Sequence, residues 1–225
     1  MFLSVILPLT ALDSLAPPAF LGREAHALFL DWVRHASPAL AAQLHADEQR
    51  KPFTVSGLRR APNPQQPNPQ PLPSKGRGVF VSPLLHGEAV RPAIDGRAGV
   101  RLGETYQLRI TSLTAELSRA LTEAILPQLP QTARLGDAHF QVGAPLLDGA
   151  AHEWAGRTTA DALFAKWFDA GARASSRVEL QFVSPTAVKQ RGRLLVTPSP
   201  ESLFHGWLMA WNAYGAPAFE NDLIA

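Results

Sequence analysis

The sequence predicts an α+β chain made of two consecutive units, each running strand, helix, strand, strand, helix. Three observations predict it. Apolar runs of strand length alternate with helix-period stripes in the same order twice. A length of 225 residues suits two domains of about 110 residues each. With 46% hydrophobic and 18% charged residues, the composition is that of a globular protein.

Phe2–Leu9 is short, apolar and closed by a turn, which reads as a buried strand. Pro17-Pro18 suits a helix start, and Leu21, Ala25, Leu28, Phe29, Trp32 and Val33 recur on one helical face. Ser37-Pro38 has the chemistry of a cap and first turn for a second short helix, carrying Leu40, Ala41 and Leu44 and ending near His45. Phe53–Ser56 is a strand closed by Gly57. Residues 61–73 hold six prolines and no charge, so they predict an exposed polyproline-like loop within the first unit. Tyr106–Leu113 is the next strand. Leu113, Leu117, Leu121 and Ile125 then form an i+4 stripe that Pro127 ends.

In the second half, His139–Leu147 is strand-like, and Thr158-Thr159 caps a helix with Leu163, Phe164 and Trp167 on its face. Arg177–Val183 alternates like a half-buried strand, Leu194–Thr197 is a short strand, and Pro200–Tyr214 is a helix. A βαββα order is the ferredoxin-like βαββαβ unit without its last strand. The expected domains are residues 1–130, including the proline-rich loop, and residues 131–225. The second lacks a final strand, so the expectation is that the chain is truncated, that the remainder is disordered, or that another chain completes the open sheet edge.

Composition narrows the chemistry. The 21 basic residues comprise four lysines and seventeen arginines, an excess of the planar fork that grips phosphate. The same bias arises in a GC-rich genome. Without cysteine there is no disulfide, thiolate metal site, iron–sulfur cluster or cysteine nucleophile. The N-terminus lacks the basic region of a signal peptide, and no run of about 18 apolar residues could span a membrane. The expectation is a soluble, cytoplasmic protein.

Most catalytic signatures fail. No glycine is followed by lysine, so there is no Walker A loop; Val81 interrupts the dinucleotide fingerprint begun at Gly76; and no Gly-x-Ser-x-Gly occurs. Lys75–Val81 echoes the RNA-binding strand of an RRM, but Arg77 stands where a stacking aromatic belongs, so the segment reads as a turn into a strand. The seven histidines show no metal-ligand spacing. His45 stands out among them. The helix dipole at its position favours imidazolium, while Arg50, Lys51, Arg59 and Arg60 follow within 15 residues and oppose it. Such a balance suits a group that moves protons near neutral pH.

Several stretches, in order, resemble the CRISPR-associated endoribonucleases that process pre-crRNA. They are Leu40–His45, Lys51–Leu58, Tyr106–Leu113, Gln181–Thr186 and Leu203–Asn212. That family, part of the RAMP superfamily, is built from two ferredoxin-like, RRM-like units. It binds CRISPR repeat RNA and cuts on the 3′ side of the hairpin without metal, leaving a 2′,3′-cyclic phosphate. The resemblance implies His45 as the catalytic histidine and Lys51 as its basic partner, with no cofactor and no metal. Two features depart from the family. Leu30 stands where some members carry a tyrosine, and the glycine-rich loop after the last helix is absent.

Arg50, Arg59, Arg60 and Arg109 are candidates for RNA phosphate contact. The runner-up reading is a non-catalytic RNA-binding subunit of a CRISPR effector complex, held by other effector subunits. A third is a ferredoxin-like interaction module without RNA.

Overall fold

Strand β1 (Phe2–Ala11) is the apolar run at the N-terminus, and the sheet is assembled around it. The computed structural model describes residues 1–16, 21–46, 50–61, 99–166 and 199–220, and the backbone of 188–190 and 193–195. Between β1 and the next long strand come α1 (Gly22–Ala36), α2 (Pro38–Ala46), β2 (Phe53–Val55) and β3 (Arg59–Arg60). Then follow β4 (Thr105–Ser112) and α3 (Ala115–Ala120), which continues through a π turn at Leu121–Ile125 and a final 3-10 turn. β5 (Thr132–Leu135) and β6 (Ala138–Val142) make a hairpin. β7 (Gly156–Thr158), α4 (Ala160–Phe164), β8 (Val188–Gln190), β9 (Arg193–Leu195) and α5 (Pro200–Tyr214) complete the described elements.

The main sheet is antiparallel in the order β2-β4-β1-β6-β5, with β3 also on β4 and β7 also on β1. One face carries the core. Leu3, Val5, Leu7, Leu9 and Ala11 of β1 and Tyr106, Leu108 and Ile110 of β4 are buried at the period-2 spacing of a strand. They pack with Ala25, Phe29, Trp32 and Val33 of α1 and with Leu117, Leu121 and Ile125 of α3. The expected α+β class is therefore observed.

Local chemistry explains the helix ends. Ser37 Oγ accepts from Leu40 N at 3.4 Å ahead of Pro38, as the Ser-Pro pair predicts. Thr114 and Ser199 cap α3 and α5 by accepting from Leu117 N and Ser202 N. α1 differs from expectation at its start. It begins at Gly22 with Leu21 ahead of it and no side-chain cap, while Pro17-Pro18 lies outside the described residues. A Cβ on Gly215 would stand 2.6 Å from the Trp211 ring, so only glycine lets the chain leave α5 as it does.

Residues 132–142 depart from the expected order. The sequence reading assigns them to the second unit, yet β6 pairs with β1 in the first sheet, Leu9 opposite Val142 and Ala11 opposite Phe140. Without this hairpin the second edge of β1 would lack partners there. Viewed this way, β1, α1, the β2/β3 strand, β4, α3 and β6 are the six elements of one ferredoxin-like unit. The proline-rich loop beyond Ala61, the Lys75–Val81 segment and the Arg177–Val183 strand lie outside the described residues. In the second half β8 and β9 pair as a separate hairpin.

Two predictions follow from this packing. Phe140 is fully buried and meets Tyr106 edge-on at 6.1 Å. Phe140→Ala should cost about 3–5 kcal/mol in a denaturant melt, because β6 closes the first sheet's core. The second concerns Asp13, whose Oδ2 accepts from His139 Nδ1 at 2.7 Å and His139 N at 2.9 Å. These bonds, the side-chain one first, hold its carboxyl below the ordinary range. A carboxyl depressed in the folded state stabilises above its unfolded pKa of about 3.9, and that contribution fades as pH falls through the folded value. An NMR titration should show the Asp13 midpoint rising part of the way in His139→Ala, which keeps the backbone N–H.

Candidate functional site

The end of α2 presents the first cluster. Leu44 is buried and anchors the last turn, which turns its neighbour His45 out to solvent. The chain returns at Arg50, and Lys51 Nζ donates to Leu44 O at 2.5 Å. An ammonium at this position satisfies a helix-end carbonyl and meets the negative end of the dipole. The two residues implied as catalytic are thus brought together, with the Lys51 charge at the carbonyl next before His45. The strand that follows is fixed at once, since Pro52 is buried and its carbonyl accepts from Leu113 N at 2.8 Å.

A second cluster lies on the sheet face opposite the helices. Arg109 projects there from β4, between the core residues Leu108 and Ile110. Arg59 reaches the same face through a bulge. Phe53–Val55 pair with Ser112–Ile110, but Arg59 pairs with Gln107, so β2/β3 holds one more residue than β4 between those pairs. That extra residue reverses the inside–outside alternation and turns Arg59 outward. Ser56 fills the gap, donating its N–H to Arg109 O and accepting Arg109 N on its hydroxyl, each at 2.9 Å.

Both guanidinium groups face Trp154. Arg59 lies over the indole at 4.0 Å, and Arg109 is 5.8 Å from its centre. The indole is delivered by a turn in which Asp148 Oδ1 accepts from Ala150 N and Ala151 N. His152 Nδ1 accepts from Trp154 N, which leaves Nε2 to donate to Gln107 Oε1 at 3.2 Å. Ser4 ties the group together, donating to Trp154 O at 2.5 Å and accepting from Arg109 Nε at 3.0 Å. Burial lowers the pKa of both arginines. For Arg59, repulsion from Arg109 adds to that, and Glu153 opposes it. Half-buried like charges are costly unless something answers them. Trp154 supplies cation–π contact to both.

The other two candidate arginines lie elsewhere. Arg60 pairs with Glu104. Arg50 donates from NH1 to Gly206 O of α5 at 3.1 Å. Site roles for Trp154, Ser4 and helix α5 escaped the sequence reading; no spacing marks them, because each arrives from a distant element. Among the described residues, no group of three His, Cys, Asp or Glu side chains could hold a metal ion, and no helix is long and apolar enough to cross a membrane.

Residues 1–76 match the family described as the CRISPR Cas6 N-terminal domain. No curated protein sequence matches the chain. Among solved structures, the product complex of Thermus thermophilus Cas6 (TTHB231) is similar at 25% identity and a TM-score of 0.58, over 98% of this chain and 68% of that one. The Cas6 (TTHA0078) product complex is similar at 20% identity and a TM-score of 0.59, over 99% and 68%. Its substrate mimic complex follows at 19% and 0.53, over 98% and 66%. The match over residues 1–76 and the fold shared over nearly the whole chain make this chain similar to Cas6 proteins, in keeping with the CRISPR-associated family that its sequence resembles.

Proposed function

We propose that the chain binds CRISPR repeat RNA and cuts it by metal-independent general acid–base catalysis, working in the cytoplasm with or without other effector subunits. One observation carries the reading. Lys51 holds its ammonium at the end of the helix that presents His45 to solvent.

Cleavage of this kind has few parts. The RNA 2′-oxygen attacks the adjacent phosphorus, the bond to the 5′-oxygen breaks, and a 2′,3′-cyclic phosphate remains. A proton leaves the 2′-hydroxyl and one reaches the departing 5′-oxygen. His45 transfers a proton, and Lys51 offsets the charge that builds on the phosphorane. The sheet face supplies affinity. Arg59 lies over Trp154, and a guanidinium in such a contact can still fork its N–H groups onto phosphate. Arg109 lies four residues before Leu113, about 13 Å along the strand from the end that borders Pro52.

Two measurements test this. In EDTA, His45→Ala should lower single-turnover cleavage of labelled repeat RNA by about 10²–10⁴-fold with affinity nearly unchanged. His35→Ala is the control, since its Nδ1 is engaged with Asp31 O on its own helix. If His45 only completes a helix end, the variant will keep its activity and lose up to about 1 kcal/mol of stability. Intact but shifted RNA with the wild-type protein would favour the binding subunit instead.

The second measurement is salt dependence. Arg59→Ala and Arg109→Ala should each weaken binding across sequences and lower the salt slope by about one. Arg60→Ala, whose guanidinium is held by Glu104, should change it less. Equal slopes for all variants would remove the sheet face from the interface.

A further inference from the structure

Helix α5, about 150 residues along the chain from α2, grips the segment that carries Lys51. Arg50 is held at both ends: its guanidinium donates to Gly206 O at 3.1 Å, and its carbonyl accepts from the Tyr214 hydroxyl. On the other side of Lys51, buried Pro52 is fixed by the bond from Leu113 N at 2.8 Å. Lys51 is therefore the single residue between two anchored neighbours. A residue before proline is already confined to extended backbone. Its side chain reaches Leu44 O, beside His45, from that fixed origin. Tyr214 also lines a cavity of about 130 Å³ with Leu40, Gln43, Leu44 and Pro52, so it borders the space under the last turns of α2.

We propose that Tyr214 is a positioning residue for the cleavage reaction, acting through Lys51. The inference rests on the reading of His45 and Lys51 above and adds to it a group from the far end of the chain. Tyr214 need not touch RNA. Its hydroxyl keeps the Arg50 carbonyl, and so the origin of the Lys51 side chain, where the ammonium meets the end of α2. A displacement of about 1 Å in such a group costs up to about 10²-fold in rate.

The test uses the full chain and labelled repeat RNA in EDTA. Tyr214→Phe removes only the hydroxyl. It should lower the single-turnover rate at saturating RNA by about tenfold, within that range, and leave the half-saturating RNA concentration and the melting temperature as in the wild type. The decisive variant is the double one. If Tyr214 acts through Lys51, Lys51→Ala with Tyr214→Phe is no slower than Lys51→Ala alone. Losses that multiply in the double variant overturn the proposal. So does a defect in half-saturation alone, or a loss of rate that follows a fall in melting temperature. A wild-type rate for Tyr214→Phe where His45→Ala is dead overturns this inference and spares the catalytic reading. Absence of cleavage by the wild-type protein defeats both.

Discussion

Strand β1 has a partner on each edge along nearly its whole length. One edge carries β4 from Leu3 to Thr10, and the other meets β7, Leu146 and β6 in turn. Leu3, Val5, Leu7 and Leu9 are buried beneath the helices, and Ile6, which points the other way, is buried too. A strand covered on both faces and paired on both edges has one register available, because a slip of one residue would drive Ser4 and Thr10 into the core. Both candidate clusters inherit their positions from that register.

The dependence can be followed residue by residue. The β1–β4 ladder sets Arg109 opposite Ile6 and leaves Ser4 diagonal to it, within reach of Nε. The bulge at Ser56 then decides that Arg59 joins Arg109 instead of pointing toward the helices. Two guanidinium groups on one face repel each other and lose solvation, and that costs stability. Trp154 and the Glu153 charge offset part of it. A surface that keeps such an arrangement is suited to a polyanion, whose phosphates neutralise what the fold leaves over.

The α2 cluster is built differently. It uses the unsatisfied carbonyls that any helix must end with. Lys51 answers the one at Leu44, and the geometry that satisfies a backbone acceptor also sets a cation at the carbonyl that precedes exposed His45. In the proposed reaction stability and chemistry draw on the same ammonium, and α5 holds the backbone on its N-terminal side.

Much of this was legible in the sequence. The apolar run of β1, the strand β4, the stripes of α1 and α3, and the caps at Ser37 and Thr159 are local signals, and local physics suffices for them. His45 and Lys51 lie six residues apart in sequence, so their neighbourhood was legible as well. The rest depends on pairing between distant segments. β6 reads as the start of a second unit until β1 offers it an edge. Arg59 alternates inward until a bulge, defined only against β4, turns it out. Trp154 and Tyr214 have no periodic partner in sequence and gain meaning only from Ser4 and Arg50, each about 150 or more residues away. Sequence by itself determines which segments become strands and helices, because propensity, capping and burial pattern act over a few residues. Only the tertiary structure decides which side chains meet across the sheet, because register and bulges are properties of two strands together.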